Sequence, residues 1–270
     1  MTGLDENARA ELFRIGSRGG GAFPAPGDLF ESIIEDIYTS ILSAGDLVLD
    51  GGAHVGRHSF PMAARVGSQG LVLAVEAYPK LARRLVQRTR KRRAPQVQVV
   101  DKALFNRMGR VSFHCTKQHP AYSGIEARRY DYQENVQVVE VEATTIDCLM
   151  SQYTGRPLRF VKLDLEGGEL RALEGGRAAL ATSRPIIVFE NDQDNSAQAY
   201  GYSKDEWFDF FAALGYETFT LWGQAYGRDD WGRRDIPWYF IAAPAGSQDS
   251  EFICDRLGEL LRRYLPALGI

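Results

Sequence analysis

Short, largely apolar runs recur along the chain and predict its strands. They cover residues 47–49, 71–75, 97–100, 160–165, 185–189, 216–222 and 238–242. Runs of this length between polar or glycine residues are typical of strands that a parallel sheet buries on both faces. Segments with helical periodicity separate most of them. The pattern therefore predicts an α/β fold, in one large domain or two small ones.

Helical periodicity is clearest over residues 28–45, where the apolar positions are Leu29, Ile33, Ile37 and Ile41. Asp28 is the expected N-cap, and Glu31 is its expected partner in a capping box. Further helices are predicted over residues 79–93, 169–180, 203–214 and 250–266, with Ser203 as the N-cap of the third. The last helix is expected to dock either on the body of the protein or on a second subunit.

The remaining segments predict an arm, two added strands and three loops, the shortest of which is the polar stretch 192–202. Residues 19–27 are rich in Gly and Pro without periodicity, which favours an extended arm or lid. Added strands are predicted at 109–114 and 136–142, and the polar stretch 116–135 suits a substrate-facing loop. Residues 223–237 form either a wall of an organic-substrate pocket or a surface loop pinned by Trp231. The predicted arm, main domain and terminal helix span residues 1–27, 28–245 and 246–270.

Composition and charge narrow the class of protein. The hydrophobic fraction of 44% and charged fraction of 25% are ordinary for a globular protein, and the net charge is −3. This charge gives no global reason to expect nucleic acid or a membrane as a partner. Three cysteines without CxxC spacing indicate free thiols in a reducing compartment. With no signal peptide and no apolar run of about 20 residues, a cytoplasmic location is expected.

The first apolar run ends in a glycine turn. Residues 50–56 read Asp-Gly-Gly-Ala-His-Val-Gly, and a helix is expected to follow. A strand, a glycine turn and a helix N-terminus together form a nucleotide-binding corner. A dinucleotide fingerprint is G-x-G-x-x-G, but Ala53 stands where its second glycine would lie. The carboxylate of Asp50 instead suits a cationic ligand, such as the ammonium or sulfonium of S-adenosylmethionine.

Acidic side chains end four of the predicted strands: Asp50, Glu76, Asp164 and Glu190. Glu76 follows the glycine turn by about 20 residues, where an acidic side chain can accept both hydroxyls of a ribose. Lys162, Asp164 and Glu166 alternate with apolar residues, which a buried sheet should not tolerate on one face. That strand is therefore expected to leave the core at the carboxyl edge of the sheet, where α/β proteins bind ligands.

These motifs resemble those of FkbM-type, S-adenosylmethionine-dependent methyltransferases. The resemblance covers roughly residues 46–243, and its matching segments are 48–56, 75–79, 161–167, 188–191, 200–203 and 214–216. The lysine–aspartate–glutamate–glycine segment over residues 162–167 is the most specific. One departure is His54, which replaces an asparagine common in the family. Asparagine tolerates a left-handed backbone more readily than histidine does.

The resemblance implies a Rossmann-like class I methyltransferase fold. Its seven-stranded, mostly parallel sheet would carry helices on both faces, with residues 238–242 as an antiparallel last strand. It also implies O-methylation of a hydroxyl on a small natural product or sugar. The glycines would shape the turn under the methionine part, Glu76 would hold the ribose, and Asp101 and Ala103 would lie near the adenine. The expected cofactor-binding residues are Asp50, Gly51, Gly52, Ala53, His54, Gly56, Glu76, Ala77, Asp101, Lys102, Ala103 and Asp164.

Methylation of an alcohol gives the acidic rim a chemical role. The acceptor loses a proton as it attacks, so a base or a metal ion is useful. The candidate catalytic residues are Lys162, Asp164, Glu166 and Glu190, with His54 and His58 at the glycine turn. Asp164 and Glu190 are the preferred pair, acting as a base or as oxygen ligands of Mg²⁺. Lys162 either orients this cluster or forms a salt bridge that locks the strand end.

Two other functions are compatible with the pattern. The first is a dinucleotide-dependent oxidoreductase on a similar sheet, although Ala53 speaks against it. The second is a non-catalytic binding module, with nucleic acid bound through the arginine-rich residues 83–93. That run lacks interleaved aromatic side chains, so the polar face of a surface helix is the simpler interpretation.

Overall fold

A seven-stranded sheet forms the centre of the computed structural model, which describes residues 5–19, 22–23, 25–127 and 135–268. Numbered along the chain, its strands are β1 (Leu47–Gly51), β2 (Leu71–Val75), β3 (Val97–Val100), β7 (Leu158–Leu163), β8 (Ile186–Glu190), β9 (Tyr216–Thr220) and β10 (Tyr239–Pro244). They lie in the order β3-β2-β1-β7-β8-β10-β9, and β10 is antiparallel to both neighbours. The implied mostly parallel sheet with an antiparallel insertion is therefore confirmed.

A second, three-stranded sheet lies between β3 and β7 in the sequence. Its strands are β4 (Ala103–Leu104), β5 (Gly109–Thr116) and β6 (Val136–Thr144), in the order β4-β6-β5. Strands β5 and β6 pair antiparallel over their whole length. These are the two added strands that the sequence predicts. Of the loop predicted at 116–135, residues 128–134 lie outside the described part of the chain.

The helices cover both faces of the large sheet. They are α1 (Glu6–Arg18), α2 (Asp28–Ile41), α3 (Ser59–Val66), α4 (Pro79–Arg92), α5 (Ile146–Met150), α6 (Glu169–Glu174), α7 (Arg177–Ser183), α8 (Asp194–Tyr200), α9 (Lys204–Ala213), α10 (Gln248–Glu251), α11 (Leu257–Arg262) and α12 (Leu265–Leu268). A π-helical segment, Phe252–Arg256, connects α10 to α11. Within the part of the chain that the structure describes, no helix is long and apolar enough to cross a bilayer.

Successive residues of the central strands face two separate cores. Val48 packs with Ile33 and Ile37 of α2 on one side, while Leu49 packs with Leu173 and Phe211 on the other. All five residues of β1 are buried, because helices cover the sheet on both faces. This two-sided burial explains why its strands read as continuous apolar runs rather than as alternating patterns.

The C-terminal helices dock on the body of this chain, which decides one open alternative. Ile253, Leu257 and Leu261 are buried in the same core as α2. The Tyr264 hydroxyl donates a 2.7 Å hydrogen bond to the Asp36 carboxylate. These contacts hold the predicted terminal helix against α2.

Strand bounds agree with the sequence prediction to within two residues at each end, whereas two helix predictions are wrong. Helix α2 is capped by Gly27, and the Asp28 carboxylate accepts from the Ala25 amide instead. The helix predicted at 169–180 breaks at Gly175 into α6 and α7. A Cβ on Gly175 would lie 2.3 Å from the Phe105 carbonyl oxygen, so this glycine permits a close backbone approach.

Two segments predicted to lack regular structure contain helices. Residues 192–202, predicted as a polar loop, contain α8. The predicted N-terminal arm contains α1, whose Leu12 and Ile15 are buried beside α2. In both segments the helix carries few apolar residues, so tertiary contacts rather than periodicity decide the conformation.

Candidate active site

A cavity of about 680 Å³ opens at the carboxyl edge of the large sheet. Its volume lies in the range of small-molecule sites, about 300–1,000 Å³. Turns that follow β1, β2, β7 and β8 line it, together with the start of α2 and the first residue of β10. The parallel strands therefore deliver their terminal residues to one place, as is general for α/β sheets.

The glycine turn passes directly against the end of β7. Gly52 has a φ of 78°, and a Cβ at this position would lie 1.9 Å from the Asp164 carbonyl oxygen. The amides of Gly52 and Ala53 both donate to the Val75 carbonyl, which fixes the turn on β2. His54 has a φ of 48°, so the position where the family commonly has asparagine is indeed left-handed.

Glu76 is buried beneath this turn and lines the cavity. Its two carboxylate oxygens accept 2.7 Å hydrogen bonds from the amides of His54 and Tyr78. Burial raises the pKa of Glu76 to about 7, although those two amides oppose the shift. Each oxygen has a second lone pair, so the carboxylate can accept further donors from a ligand.

Asp50, at the end of β1, is also buried at the cavity. Its Oδ2 accepts a hydrogen bond from the Ser59 hydroxyl at the start of α3. Its Oδ1 has no hydrogen-bond partner among the described residues. A buried carboxylate oxygen without a donor is costly, so this atom is a natural acceptor for a ligand N–H.

Lys162 and Asp164 form a buried ion pair at the end of β7. The Lys162 ammonium lies 2.9 Å from Asp164 Oδ2, and Lys162 is only 3% exposed. Burial opposes the ammonium, but Asp164, Glu31 and Asp50 raise the pKa of Lys162 above its usual range. Burial likewise opposes the carboxylate, but Lys162 and hydrogen bonds from neighbouring groups lower the pKa of Asp164. Both groups are therefore charged at neutral pH.

A hydrogen-bonded chain continues from Asp164 across the cavity. The Tyr239 hydroxyl lies 3.1 Å from Asp164 Oδ2 and 2.7 Å from Glu31 Oε1. The other oxygen of Glu31 contacts His58 Nε2, and His58 Nδ1 lies 3.3 Å from the Tyr38 hydroxyl. Burial opposes ionisation of Glu31, but the His58 hydrogen bond and the Lys162 charge lower its pKa to about 2.

Asp164, Glu166 and Glu190 bring three carboxylates together. One oxygen from each lies within 4.8 Å of the others, which is close enough to share a cation. Glu166 has a φ of 56° and is 8% exposed, so its position rests on a strained backbone. Strain of this kind concentrates at functional sites.

The three-stranded sheet and the segment that follows β5 form one wall of the cavity. Phe113 of β5 lines the cavity, as do Tyr122 and Ile125. The His114 and Gly124 backbones pair as an antiparallel bridge, and His114 Nδ1 donates to the Ile125 carbonyl. His114 therefore holds this wall in place.

A sequence comparison now decides the family. Residues 50–218, more than half of the chain, match the Methyltransferase FkbM domain. The chain belongs to the FkbM methyltransferase family. The predicted resemblance is therefore confirmed.

Three solved structures show the range of similar folds. An FkbM methyltransferase from Methylobacillus flagellatus is 15% identical with a TM-score of 0.46; the alignment covers 87% of this chain and 58% of that one. A SAM-dependent O-methyltransferase from Thermotoga maritima is 14% identical with a TM-score of 0.44, covering 88% and 72%. An rRNA methylase from Streptococcus thermophilus is 12% identical with a TM-score of 0.43, covering 78% and 93%. No curated protein matches the sequence.

Most of the residues predicted to bind the cofactor of this FkbM domain lie on the cavity. Those that line it are Asp50, Gly52, Ala53, His54, Glu76, Ala77, Lys102, Ala103 and Asp164. The predicted catalytic residues Lys162, Glu166 and Glu190 line it as well. The four acidic strand ends therefore meet at one rim.

Three predicted residues lie off the cavity. Gly51 is inside β1, where a Cβ would lie 2.7 Å from a Leu163 methyl group. Gly56 faces Phe60 and Leu85, so it allows α4 to pack on the turn. Asp101 is exposed, while the two residues after it line the cavity. These glycines shape the corner through packing.

None of residues 223–237 lines the cavity, so the prediction that this aromatic loop forms a substrate wall is wrong. Tyr226 is buried against Phe240 at a ring distance of 4.3 Å. Trp231 donates from Nε1 to the Asp194 carboxylate and packs on Phe208. The alternative, a surface loop pinned by Trp231, is correct.

Sequence reasoning missed Glu31 and Tyr239 as site residues. Glu31 fitted the spacing of a capping box, and Tyr239 fitted a buried strand. Both signals were local, whereas these residues meet Asp164 across 133 and 75 positions of the chain. A buried tyrosine at a strand's first residue needs a hydroxyl partner, which is the only hint that the sequence offered.

Proposed function

We propose that this chain is an S-adenosylmethionine-dependent O-methyltransferase that acts on a hydroxyl of a small molecule, a natural product or a sugar. The observation that carries the proposal is the ionised Asp164, held at a cavity by Lys162, Tyr239 and Glu31. A hydroxyl must lose a proton as it accepts a methyl group. The lowered pKa makes Asp164 a weak base, so it takes that proton only as the methyl group is transferred, when the hydroxyl has become acidic.

The donor-binding residues have matching chemistry. Glu76 offers carboxylate oxygens to ribose hydroxyls, and the unpartnered Oδ1 of Asp50 offers an acceptor to an ammonium. Gly52 leaves space where a side chain would block the turn. S-adenosylmethionine, when bound, supplies an electrophilic methyl group on its sulfonium.

The hydrogen bonds of Tyr239 to its two carboxylate neighbours support the proposal that Asp164 is the base. The Tyr239 hydroxyl has one proton and lies between two carboxylates, 2.7 Å from Glu31 and 3.1 Å from Asp164. The shorter contact assigns that proton to Glu31, so the contact to Asp164 lacks one. A proton taken from the acceptor hydroxyl would let Asp164 donate to Tyr239. The proton gained by Asp164 would therefore complete the hydrogen-bonded chain. Methyl transfer also requires that the acceptor is held in line with the methyl group and that water is excluded.

Magnesium is a second way to activate the acceptor at the same residues. Asp164, Glu166 and Glu190 offer the oxygen ligands that Mg²⁺ prefers. However, Lys162 already places a positive charge 2.9 Å from Asp164 Oδ2. We therefore favour Asp164 as a base and keep magnesium as the alternative that a chelator tests.

Titration with S-adenosylhomocysteine (SAH) tests the cofactor. Wild-type protein should bind SAH in calorimetry, and Glu76→Ala should weaken binding about a hundredfold through loss of charged hydrogen bonds. Because Glu76 also holds two backbone amides, Glu76→Gln and thermal melts check that the turn is folded. Glu140→Ala, which removes an exposed glutamate of β6, is the matched control and should leave the affinity unchanged.

The pH profile gives the same experiment a sharper readout. Ribose hydroxyls favour the ionised carboxylate, and the pKa of Glu76 is raised to about 7. Wild-type affinity for SAH should therefore rise about tenfold between pH 6 and pH 8. Glu76→Gln should show a flat profile. A flat wild-type profile would remove Glu76 from the ribose site.

Methyl transfer to a panel of acceptors tests the reaction. With radiolabelled S-adenosylmethionine, hydroxylated compounds should be methylated in the presence of EDTA, and Asp164→Asn should abolish turnover while SAH still binds. Methylation of amines alone would overturn the O-methyltransferase assignment. Activity lost with EDTA and restored by Mg²⁺ would favour the metal alternative.

A further inference from the structure

The chain between Glu76 and Asp101 has an extreme charge. It contains eight of the 32 basic residues and no acidic residue: Lys80, Arg83, Arg84, Arg88, Arg90, Lys91, Arg92 and Arg93. The rest of the protein therefore has 24 basic residues against 35 acidic ones, a net charge of −11, beside +8 on this segment. The modest overall charge hides this asymmetry, which indicates an anionic partner.

Three of these residues form one row on α4, which we call the arginine stripe: Arg84, Arg88 and Arg92. They are spaced by four residues, so they are neighbours on the helix surface. Across the described ranges, none of the three has an ion-pair partner. Burial lowers the pKa of Arg88, and Arg92 and Arg84 lower it further. Like charges at this spacing destabilise a helix, so folding alone does not account for the stripe.

Helix α4 connects the cavity to the stripe. Leu81, in its first turn, lines the cavity, and Arg88 lies seven residues later on the same face of the helix, about 10 Å further along its axis. The guanidiniums of Arg88 and Arg92 lie over the Phe60 ring, 5.6 and 4.5 Å from its centre. Phe60 in turn packs against Gly56 of the glycine turn. The stripe is thus fixed in place next to the glycine turn.

The electrostatics of His54 support this placement. His54 lines the cavity, and burial is the largest cause of its lowered pKa. The positive charges of Lys162, Arg84 and Arg88 add to that lowering, while Asp164 opposes it. The positive charges of Arg84 and Arg88 are therefore close enough to His54, a residue that lines the cavity, to lower its pKa.

The surface of α4 favours a small anion over a macromolecule. Single-stranded RNA binds through aromatic platforms, but the only ring at the stripe, within the described residues, is Phe60, which the guanidiniums cover. Membrane-surface helices need an exposed apolar side, whereas every exposed residue of α4 is polar or charged. Arginine rows bind phosphate oxygens through several charged hydrogen bonds.

We propose that the arginine stripe binds the phosphate group of a phosphorylated acceptor, such as a sugar phosphate, whose free hydroxyl enters the cavity. The role in acceptor binding rests on the proposed methyltransferase function, whereas phosphate binding by the stripe does not. Arg84 and Arg88, the two members of the stripe nearest Leu81 along α4, make the principal contacts.

Calorimetry with inorganic pyrophosphate tests the stripe in the full chain. Wild-type protein should bind pyrophosphate saturably, and Arg84→Gln/Arg88→Gln should weaken binding about tenfold or more. The matched control is Arg83→Gln/Arg90→Gln, which removes the same charge from another face of α4. It should weaken binding less than about threefold, since only long-range attraction is lost.

Three results would overturn the proposal: no saturable pyrophosphate binding by the wild type, equal losses in the two double variants, or far tighter binding of a short single-stranded RNA than of pyrophosphate at physiological salt. Titration of SAH into the same samples separates the two proposals. Pyrophosphate binding without SAH binding would overturn the proposed function and leave the stripe standing. SAH binding without pyrophosphate binding would do the reverse.

Discussion

At the scale of single residues, the turns that line the cavity depend on backbone conformations that few side chains tolerate. Gly52, His54 and Glu166 all have positive φ values at the cavity. For Gly52 the constraint is steric as well, because the turn and the Asp164 carbonyl approach closely. His54 and Glu166 adopt left-handed backbone at a cost, which places both side chains at the site.

Gly52→Ala separates the close approach from the left-handed strain. We expect it to cost at least about 2 kcal/mol more in the free energy of unfolding than Gly201→Ala, because its Cβ meets a carbonyl oxygen. Gly201 is left-handed with a φ of 64° and a ψ of 49°, and a Cβ there would meet open space, so its substitution adds strain alone, about 1 kcal/mol. Urea denaturation measures both. Equal losses would show that the turn relaxes away from Asp164.

At the scale of elements, the ends of helices are set by different kinds of contact. Helix α9 begins at the predicted N-cap, Ser203, and the structure shows a capping box there, in which Ser203 and Glu206 each accept from the other's amide. Helix α2 begins instead at a left-handed Gly27, which leaves Glu31 free to join the buried chain. The same three-residue spacing between a candidate N-cap and a glutamate therefore gives a capping box in α9 but not in α2.

The capping box gives an element-scale prediction. Ser203→Ala should lower the free energy of unfolding by about 1 kcal/mol, because the Glu206 amide loses its acceptor. Thr39→Ala is the control, since the Thr39 hydroxyl is exposed and bonds only within its own helix to Glu35. That substitution should change stability by less than about 0.5 kcal/mol. Chemical denaturation of the two variants distinguishes a cap from an ordinary surface hydroxyl.

At the scale of the whole molecule, buried carboxylates couple folding to pH. Burial raises the pKa of Glu76 and of Glu169 from 4.5 to about 7, so the folded state binds more protons than the unfolded chain between those values. Their contribution to stability is full below about pH 4.5 and is lost as the pH rises through 7. Glu31, with its pKa lowered to about 2, contributes above pH 4.5 and loses that contribution as the pH falls.

Glu169→Gln should therefore stabilise the protein in a pH-dependent way. At pH 8 we expect a gain of about 1–3 kcal/mol in the free energy of unfolding, because no buried charge forms, and little change at pH 5. The amide oxygen of glutamine can still accept from Leu165 and Gly167, as Glu169 Oε1 does. Glu259→Gln, at an exposed position of α11, should show no such dependence. Urea midpoints across this pH range provide the measurement.

The sequence by itself determined the sheet, its strand bounds and the acidic ends that line the cavity. Each of these follows from a local pattern: apolar runs for strands buried on both faces, and a carboxylate where a strand leaves the core. The motif segments also sufficed to identify the family.

Only the tertiary structure decided which side chains meet. Glu31 and Tyr239 join Asp164 from opposite ends of the chain, and nothing in their local sequence encodes that meeting. The position of α4 beside the cavity likewise turned a charged helix face into a candidate phosphate site. Hydrogen-bond and ion-pair partners depend on distances of a few ångströms between remote segments, and packing alone sets those distances.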